Sequence, residues 1–322
     1  MNDRIHDEYG TTERGLDRRD FIKRSAAVGA AAMGLSVLGL GDTPASGRSR
    51  ARWWGSLAQP SGGQEAWDAV QALERKVGRR FGTIHHRFPW DNDLVNKFTK
   101  WGVSTGHKPI LGWNGNIGSN NLWNSIASGS QDRRITQQAR SLRSAGWDTF
   151  ITFHKEPERE GSPADFRKAY DRIHRIFNNV GVRKATWIVT LTAATYSAGE
   201  ARQWLPKRYD LLGVDGYNRG GCGSGVSWKS FNQTFAPARS FARSRGKDLY
   251  MVEVGCTEGG SGAKADWIAD ARATIKRWPE VVGFSYNNER TDCSYVVDSS
   301  ASALNSFKRM GADNYYSKRL GR

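Results

Sequence analysis

From about residue 52 onward the chain alternates two hydrophobic patterns. Short runs rich in β-branched, aromatic and aliphatic residues fall at 52–58, 80–88, 108–113, 149–153, 185–191, 211–217, 248–254 and 281–286, with the composition of strands buried in a sheet. Between them the apolar positions recur three and four apart. Trp67, Val70, Leu73 and Val77 mark a helix over 64–77, and Phe166, Tyr170, Ile173, Ile176 and Phe177 mark one over 163–180. Further helical segments are read at 93–101, 132–145, 200–205, 263–278 and 301–310, and one ends at Arg245. Gly78 and Gly146 stop two of these helices, and Ser162 followed by Pro163 is a cap followed by a favoured first-turn residue. Eight strands in strict alternation with helices, and no internal linker, predict a parallel sheet closed into a (β/α)8 TIM barrel of the α/β class. The competing open, doubly wound sheet wants a Gly-x-Gly-x-x-Gly turn after its first strand, which this chain lacks.

The first segment stands apart from this pattern. Asp17-Arg18-Arg19-Asp20-Phe21-Ile22-Lys23 precedes a small, apolar run at 26–40 and then Thr43-Pro44-Ala45-Ser46. A charged region, a modest apolar core and small residues describe an export signal, and the arginine pair resembles the twin-arginine signal of bacteria. The apolar run falls short of the roughly 20 residues that span a bilayer. We therefore expect a signal peptide at 1–45, a linker at 46–51 and a single barrel at 52–322, secreted and free of the membrane once the signal is removed. The 322 residues, 38% hydrophobic with 13 Trp, suffice for that core.

The formal net charge of +16 is spread along the chain, as at Arg133, Arg134, Arg140 and Arg143, which reads as a solvated outer ring. It also suits an anionic cell-wall polymer as a partner. No nucleic-acid-binding module accompanies it, so nucleic acid is not an expected partner, and a monomer is expected. Cys222, Cys256 and Cys293 follow the sixth, seventh and eighth strands, so one bridge between loops on one face is open to them, with one thiol left over. Their spacing is not that of a zinc site.

In a barrel of this kind the chemistry sits where the strands end. Those ends supply His85, His86 and Trp90; Trp113 and Asn114; His154 and Glu156; Asp215, Tyr217 and Asn218; Glu253; and Tyr286, Asn287 and Asn288. Alternation places only one of His85 and His86 inward, and His86 is taken as the candidate. Aromatic faces suit the C–H surfaces of sugars, and amides and carboxylates suit their hydroxyls. A phosphorylated substrate would ask for a Gly-rich anion cradle instead. Glu156 and Glu253, about a hundred residues apart at the ends of the fourth and seventh strands, are placed to face each other across the mouth as a retaining glycosidase requires.

The run Phe153-His154-Lys155-Glu156-Pro157-Glu158, Val214-Asp215-Gly216-Tyr217-Asn218, Val252-Glu253-Val254-Gly255 with Lys264-Ala265-Asp266-Trp267 after it, and Phe284-Ser285-Tyr286-Asn287-Asn288 together resemble glycoside hydrolase family 26. That resemblance implies endo-β-mannanase-like hydrolysis of β-linked polysaccharide with retention. Glu156 would be the acid/base, Glu253 the nucleophile and Tyr217 the hydrogen-bond partner of the nucleophile. His154, Trp113, Asp215, Asn218, His86 and Asn287 would contact substrate, and no cofactor or metal would be needed. The chain departs from the family's mannanases in placing Lys155 where they have His before the acid/base, and Pro157-Glu158-Arg159-Glu160 where they have an Asn-Gly and Trp-rich stretch. Two other functions fit the same residues: a glycan- or cell-wall-binding barrel without catalysis, and a lyase on an acidic polysaccharide with Lys155 or Arg159 neutralising the carboxylate.

Overall fold

The computed structural model describes residues 52–319, and the expected signal peptide and linker lie outside the described residues. Eight parallel strands close on themselves: β1 (Trp53–Ala58), β2 (Thr83–Phe88), β3 (Lys108–Trp113), β4 (Thr149–Phe153), β5 (Ala185–Thr192), β6 (Leu211–Asn218), β7 (Leu249–Cys256) and β8 (Val281–Asn288). Each pairs with its neighbours in sequence, and β8 returns to pair with β1 over six residues. The helices that follow them are α1 (Ala66–Val77), α2 (Lys97–Ser104), α3 (Asp132–Ala145), α4 (Pro163–Val180), α5 (Ala193–Ser197), α6 (Phe231–Ser244), α7 (Ala263–Lys276) and α8 (Ala301–Ala312). The fold is a (β/α)8 barrel.

Local chemistry explains where the elements depart from the hydrophobic pattern. α2 starts at 97, later than expected, because Asn96 and Thr99 form a reciprocal capping box that fixes the start there. The helix expected at 200–205 is a 3₁₀ turn, and helix begins earlier, at α5, where the Thr192 side chain caps the Thr195 N–H. The loop after β3 carries a two-residue hairpin, Asn116–Ile117 against Asn120–Asn121, and a short helix, Trp123–Ser128. Polar, Gly-rich residues hide both from a reading of apolar periodicity.

Two apolar layers hold the barrel. Most of the core lies between the sheet and the helices, while Trp53, Ile110, Phe150, Ile188, Tyr250 and Val252 fill the interior. Packing there pairs large with small: a Cβ at Gly283 would lie 2.2 Å from the Tyr250 ring. Lys108 closes the floor, its ammonium 2.6 Å from Asp148 and 3.8 Å from the centre of the Phe150 ring. At the opposite end a Cys222–Cys293 disulfide joins the loops after β6 and β8. Cys256 stays a buried thiol, pushed up to about 12 chiefly by burial.

Candidate active site

Strand alternation decides what enters the mouth. On β2, Ile84 and Phe88 pack against the helices, so His85 and Arg87 point into the barrel. β6 turns Asp215 and Tyr217 inward, and β8 turns Asn287 inward. β7 needs a further device, because Val252 already faces the interior. Met251 pairs with Val214 but Glu253 with Asp215, so β7 spends two residues against one on β6. This bulge brings Glu253 inward beside Val252, a local re-aiming typical of bulges near functional sites.

Glu253 is fully buried and densely contacted. Arg87 grips it with two bonds, Nε to Oε1 at 3.0 Å and Nη2 to Oε2 at 2.8 Å. The Tyr217 hydroxyl donates to Oε2 at 2.7 Å and in turn accepts from Asn287 Nδ2 at 2.9 Å. Arg87 also binds Glu289, at 2.9 and 3.2 Å. Burial alone would raise the Glu253 carboxyl, but Lys155, then Arg87 and His85, outweigh it and hold the group far below the usual carboxylate range. His85 Nδ1 lies 3.5 Å from Glu253, yet burial, helped by Arg87 and Lys155, brings the imidazole down to about 3. It is therefore neutral at ordinary pH, and its contact with Glu253 is dipolar.

Glu156 comes from the turn after β4. His154 and Glu156 both have left-handed backbone, φ 45° and 55°, which costs roughly 1–3 kcal/mol for each non-glycine residue. The turn is held by His154, whose Nδ1 accepts from the Gly115 N–H and the Trp123 indole N–H, both at 3.0 Å, while Nε2 meets Glu160 at 2.8 Å. Its product is Lys155 driven into the barrel mouth. The ammonium lies 3.1 Å from Glu156, 3.3 Å from Glu253 and 3.6 Å from Asp215. Burial disfavours the charge, but Glu253, Asp215 and Glu156 outweigh it and raise the ammonium above its ordinary value. Because both Glu side chains contact one nitrogen, at 3.1 and 3.3 Å, their nearest oxygens are at most about 6.4 Å apart, just short of the ~6.5–9.5 Å of an inverting pair. Glu156 keeps 34% of its side chain exposed, whereas Glu253 has none.

Several expected contacts fall elsewhere. His86 faces outward against Phe88 and Phe98, and burial brings it down to about 4; its neighbour His85 takes the inward place. Trp113 is fully buried, stacked on Trp90 at 4.2 Å in the outer core. Asn218 is buried, and its Oδ1 accepts from the Gly220 and Lys229 N–H groups, so it ties a loop. His154 is consumed by the turn it braces. Asp215 does lie in the site, buried and without a hydrogen bond, its carboxyl raised by burial and by Glu253 against the opposing Lys155. Glu158 turns away to accept from the Thr192 N–H at 2.7 Å. Among the described residues no group of three or more His, Cys, Asp or Glu side chains is arranged to hold a metal ion.

No protein-family model matches this sequence, and no curated protein matches it. Solved structures do match its fold. GH26C from a Muricauda species superposes with a TM-score of 0.59 at 13% identity, over 85% of this chain and 91% of that one. A GH26 β-mannanase from Bacteroides ovatus gives 0.58 at 10% identity, over 82% and 89%. A β-mannanase from a symbiotic protist of the termite Reticulitermes speratus, solved with a gluco-manno-oligosaccharide, gives 0.57 at 16% identity, over 82% and 88%. What this chain shares with these proteins is the (β/α)8 barrel. At such identities the likeness concerns the fold and not the chemistry of individual residues.

Alternation carried from Ile84 and Phe88 would have found His85 and Arg87 together, since both sit between outward apolar positions. Lys155 is visible in sequence as a departure, but nothing local shows that its ammonium meets three carboxylates.

Proposed function

We propose that this chain is an exported retaining glycoside hydrolase acting on a β-linked polysaccharide, with β-mannan or glucomannan the first candidates and β-glucan and xylan next. The observation that carries the reading is the Glu156–Glu253 pair, delivered from β4 and β7 to one ammonium, with nearest oxygens no more than about 6.4 Å apart, which supports retention over inversion. Glu253, ionised and oriented by Tyr217 and Arg87, attacks the anomeric carbon while the more exposed Glu156 protonates the departing oxygen. Glu156, now a carboxylate, then takes a proton from the water that releases the sugar. The mannanase names of structural neighbours support the order of substrates to try. The 1–45 segment and the disulfide both suit export to an oxidising compartment.

The test is hydrolysis of soluble glucomannan, mixed-linkage β-glucan and xylan, with the product anomer read by NMR. Glu253→Gln is expected to lower kcat by about a thousandfold or more, as removal of an activated nucleophile does. A variant as active as the parent on a substrate the parent cleaves would sink the assignment.

One observation favours a second reading, a glycan-binding barrel without catalysis. Lys155 lies between the two carboxyls, where a sugar's anomeric centre would have to approach, and Glu253 is fully enclosed. Glycan binding without products in any of the three polymers would select it.

A further inference from the structure

Among the described residues three large hydrophobic side chains are conspicuously exposed: Ile117 at 48%, and Val226 and Trp228 at 40% each. Ile117 lies in the hairpin after β3, and the other two lie in loop 219–230 after β6. All three are therefore at the end of the barrel that carries Glu156 and Glu253, with none on the outer helices. Isolated exposed apolar residues are ordinary, but their confinement to one face is not.

Trp228 is also held with unusual care. Asn218 Oδ1 accepts from the N–H groups of Gly220 and Lys229, both at 3.2 Å, and so closes the loop at its two ends. The Thr257 hydroxyl donates to the Gly220 carbonyl at 2.6 Å, and the Trp267 indole N–H donates to the Lys229 carbonyl at 3.0 Å. The Cys222–Cys293 disulfide and the Arg219–Asp292 ion pair fasten the same loop to the one after β8. Within this frame the Trp228 ring rests directly on backbone. A Cβ at Gly259 would lie 2.1 Å from the ring, and one at Gly220 would lie 2.7 Å from the Trp228 Cα. Gly259 also has φ +66°, a conformation that disfavours any side chain. Two glycines from two loops thus leave room for a single ring.

We propose that Trp228 is the stacking surface of a sugar subsite at the rim of the mouth, taking the C–H face of a neutral pyranose of a β-linked polysaccharide outside the Glu156–Glu253 pair. One face of the indole is seated on Gly259, and the exposed remainder offers a flat apolar surface already in place before the ligand arrives. Arg219, at the start of the same loop, and its ion-pair partner Asp292 are exposed and offer donors and an acceptor for hydroxyls. Burial of Trp228 under a sugar recovers apolar area that the free protein leaves in water. The inference rests on the site being a carbohydrate site, but it does not require hydrolysis.

Its test uses the full chain carrying Glu156→Gln to prevent turnover, with Trp228 intact or changed to Ala or Phe. Each protein is titrated calorimetrically with soluble glucomannan, mixed-linkage β-glucan and xylan, and its thermal midpoint is measured alongside. The expected result is that Trp228→Ala weakens binding of the preferred polymer about 10-fold or more, as truncation of an aromatic anchor does, while Trp228→Phe keeps most of it and both stay folded. Equal affinities with Trp228 and with Ala overturn the inference, as does the absence of binding to all three polymers. A change in sedimentation on Trp228→Ala without a change in glycan affinity also overturns it, in favour of a contact between proteins. The two proposals separate cleanly. Glu253→Gln abolishing hydrolysis while Trp228→Ala leaves binding unchanged removes the subsite alone. Polymer binding that depends on Trp228, in a protein that cleaves nothing, removes the hydrolase alone.

Discussion

Lys155 is the residue that distinguishes this mouth chemically. A buried ammonium among Glu156, Asp215 and Glu253 compensates charge that would otherwise be costly to enclose, and the Arg87 guanidinium does the same from β2. For Glu253 the sign is clear: burial raises it, and Lys155 is the strongest of the groups that lower it. Removing the ammonium raises the pH at which Glu253 takes up a proton. Lys155→Met is therefore expected to move the acidic limb of kcat/KM upward in pH, whereas Lys155→Arg keeps it near its original place. A pH–rate profile of each variant on the preferred polymer checks this. A limb unmoved by Met would show that Lys155 does not govern the ionisation of Glu253. Arg87 lies outside the set of residues expected from the sequence to line the site, and Lys155 belongs to it only as the carboxylate-neutralising group of a lyase.

At the level of elements, the loops after β6, β7 and β8 act as one braced unit above Glu253. The Cys222–Cys293 bond spans 71 residues of chain, for which chain-entropy reasoning gives an upper figure of about 4 kcal/mol. Replacing both cysteines by Ser is expected to lower the guanidinium unfolding midpoint, most of the loss being recovered nowhere else in the barrel. The parent with reductant should follow the double variant. Cys256 is no substitute partner, because it is buried and burial suppresses its thiolate. A midpoint indifferent to both treatments would mean that hydrogen bonds such as Thr257 to Gly220 hold these loops without the bridge. The bulge in β7 belongs to the same scale. It is invisible in the apolar run Leu249–Val252 because a bulge is a property of pairing with β6 and β8, not of the strand alone.

For the whole molecule, the buried titrating groups set how stability varies with pH. His85 and His86 go from 6.5 unfolded to about 3 and about 4 folded, mainly through burial. The unfolded chain then binds more protons as the pH falls, so their contribution is complete above about 6.5 and erodes toward pH 3–4. Glu253, held low chiefly by Lys155 against burial, adds stability above its unfolded value of 4.5 that is lost on further acidification. Asp313, for which Lys276 and Arg272 overcome burial and give about 2, adds in the same direction below 3.8. Asp215 and Glu158, both raised chiefly by burial, act in the opposite sense on acidification, but the two histidines, Glu253 and Asp313 outweigh them, so urea unfolding should show lower stability at pH 3 than at pH 7. A flat profile across that range would contradict the buried, neutral state of the two histidines.

Strand and helix alternation, and with it the closed barrel, was determined by the sequence alone, because period-two and period-3.6 patterns are local and each of the eight units repeats them. The placing of Glu156 and Glu253 at the mouth end of the barrel follows from the same logic, since the strands are parallel and all finish at that end. What surrounds them was decided by tertiary structure. Choosing His85 over His86 needed the outward packing of Ile84 and Phe88, and turning Glu253 inward needed a bulge set by two neighbouring strands. The left-handed turn that drives Lys155 inward is braced by Gly115 and Trp123 of the preceding loop. Trp113 looked like a sugar contact from its position, yet it lies stacked beneath Trp90, because an indole at that strand end packs against α-helical side chains as readily as it faces solvent. Local pattern determines which residues reach the end of a strand; only the contacts made by distant segments decide which way each side chain turns and what charge it keeps.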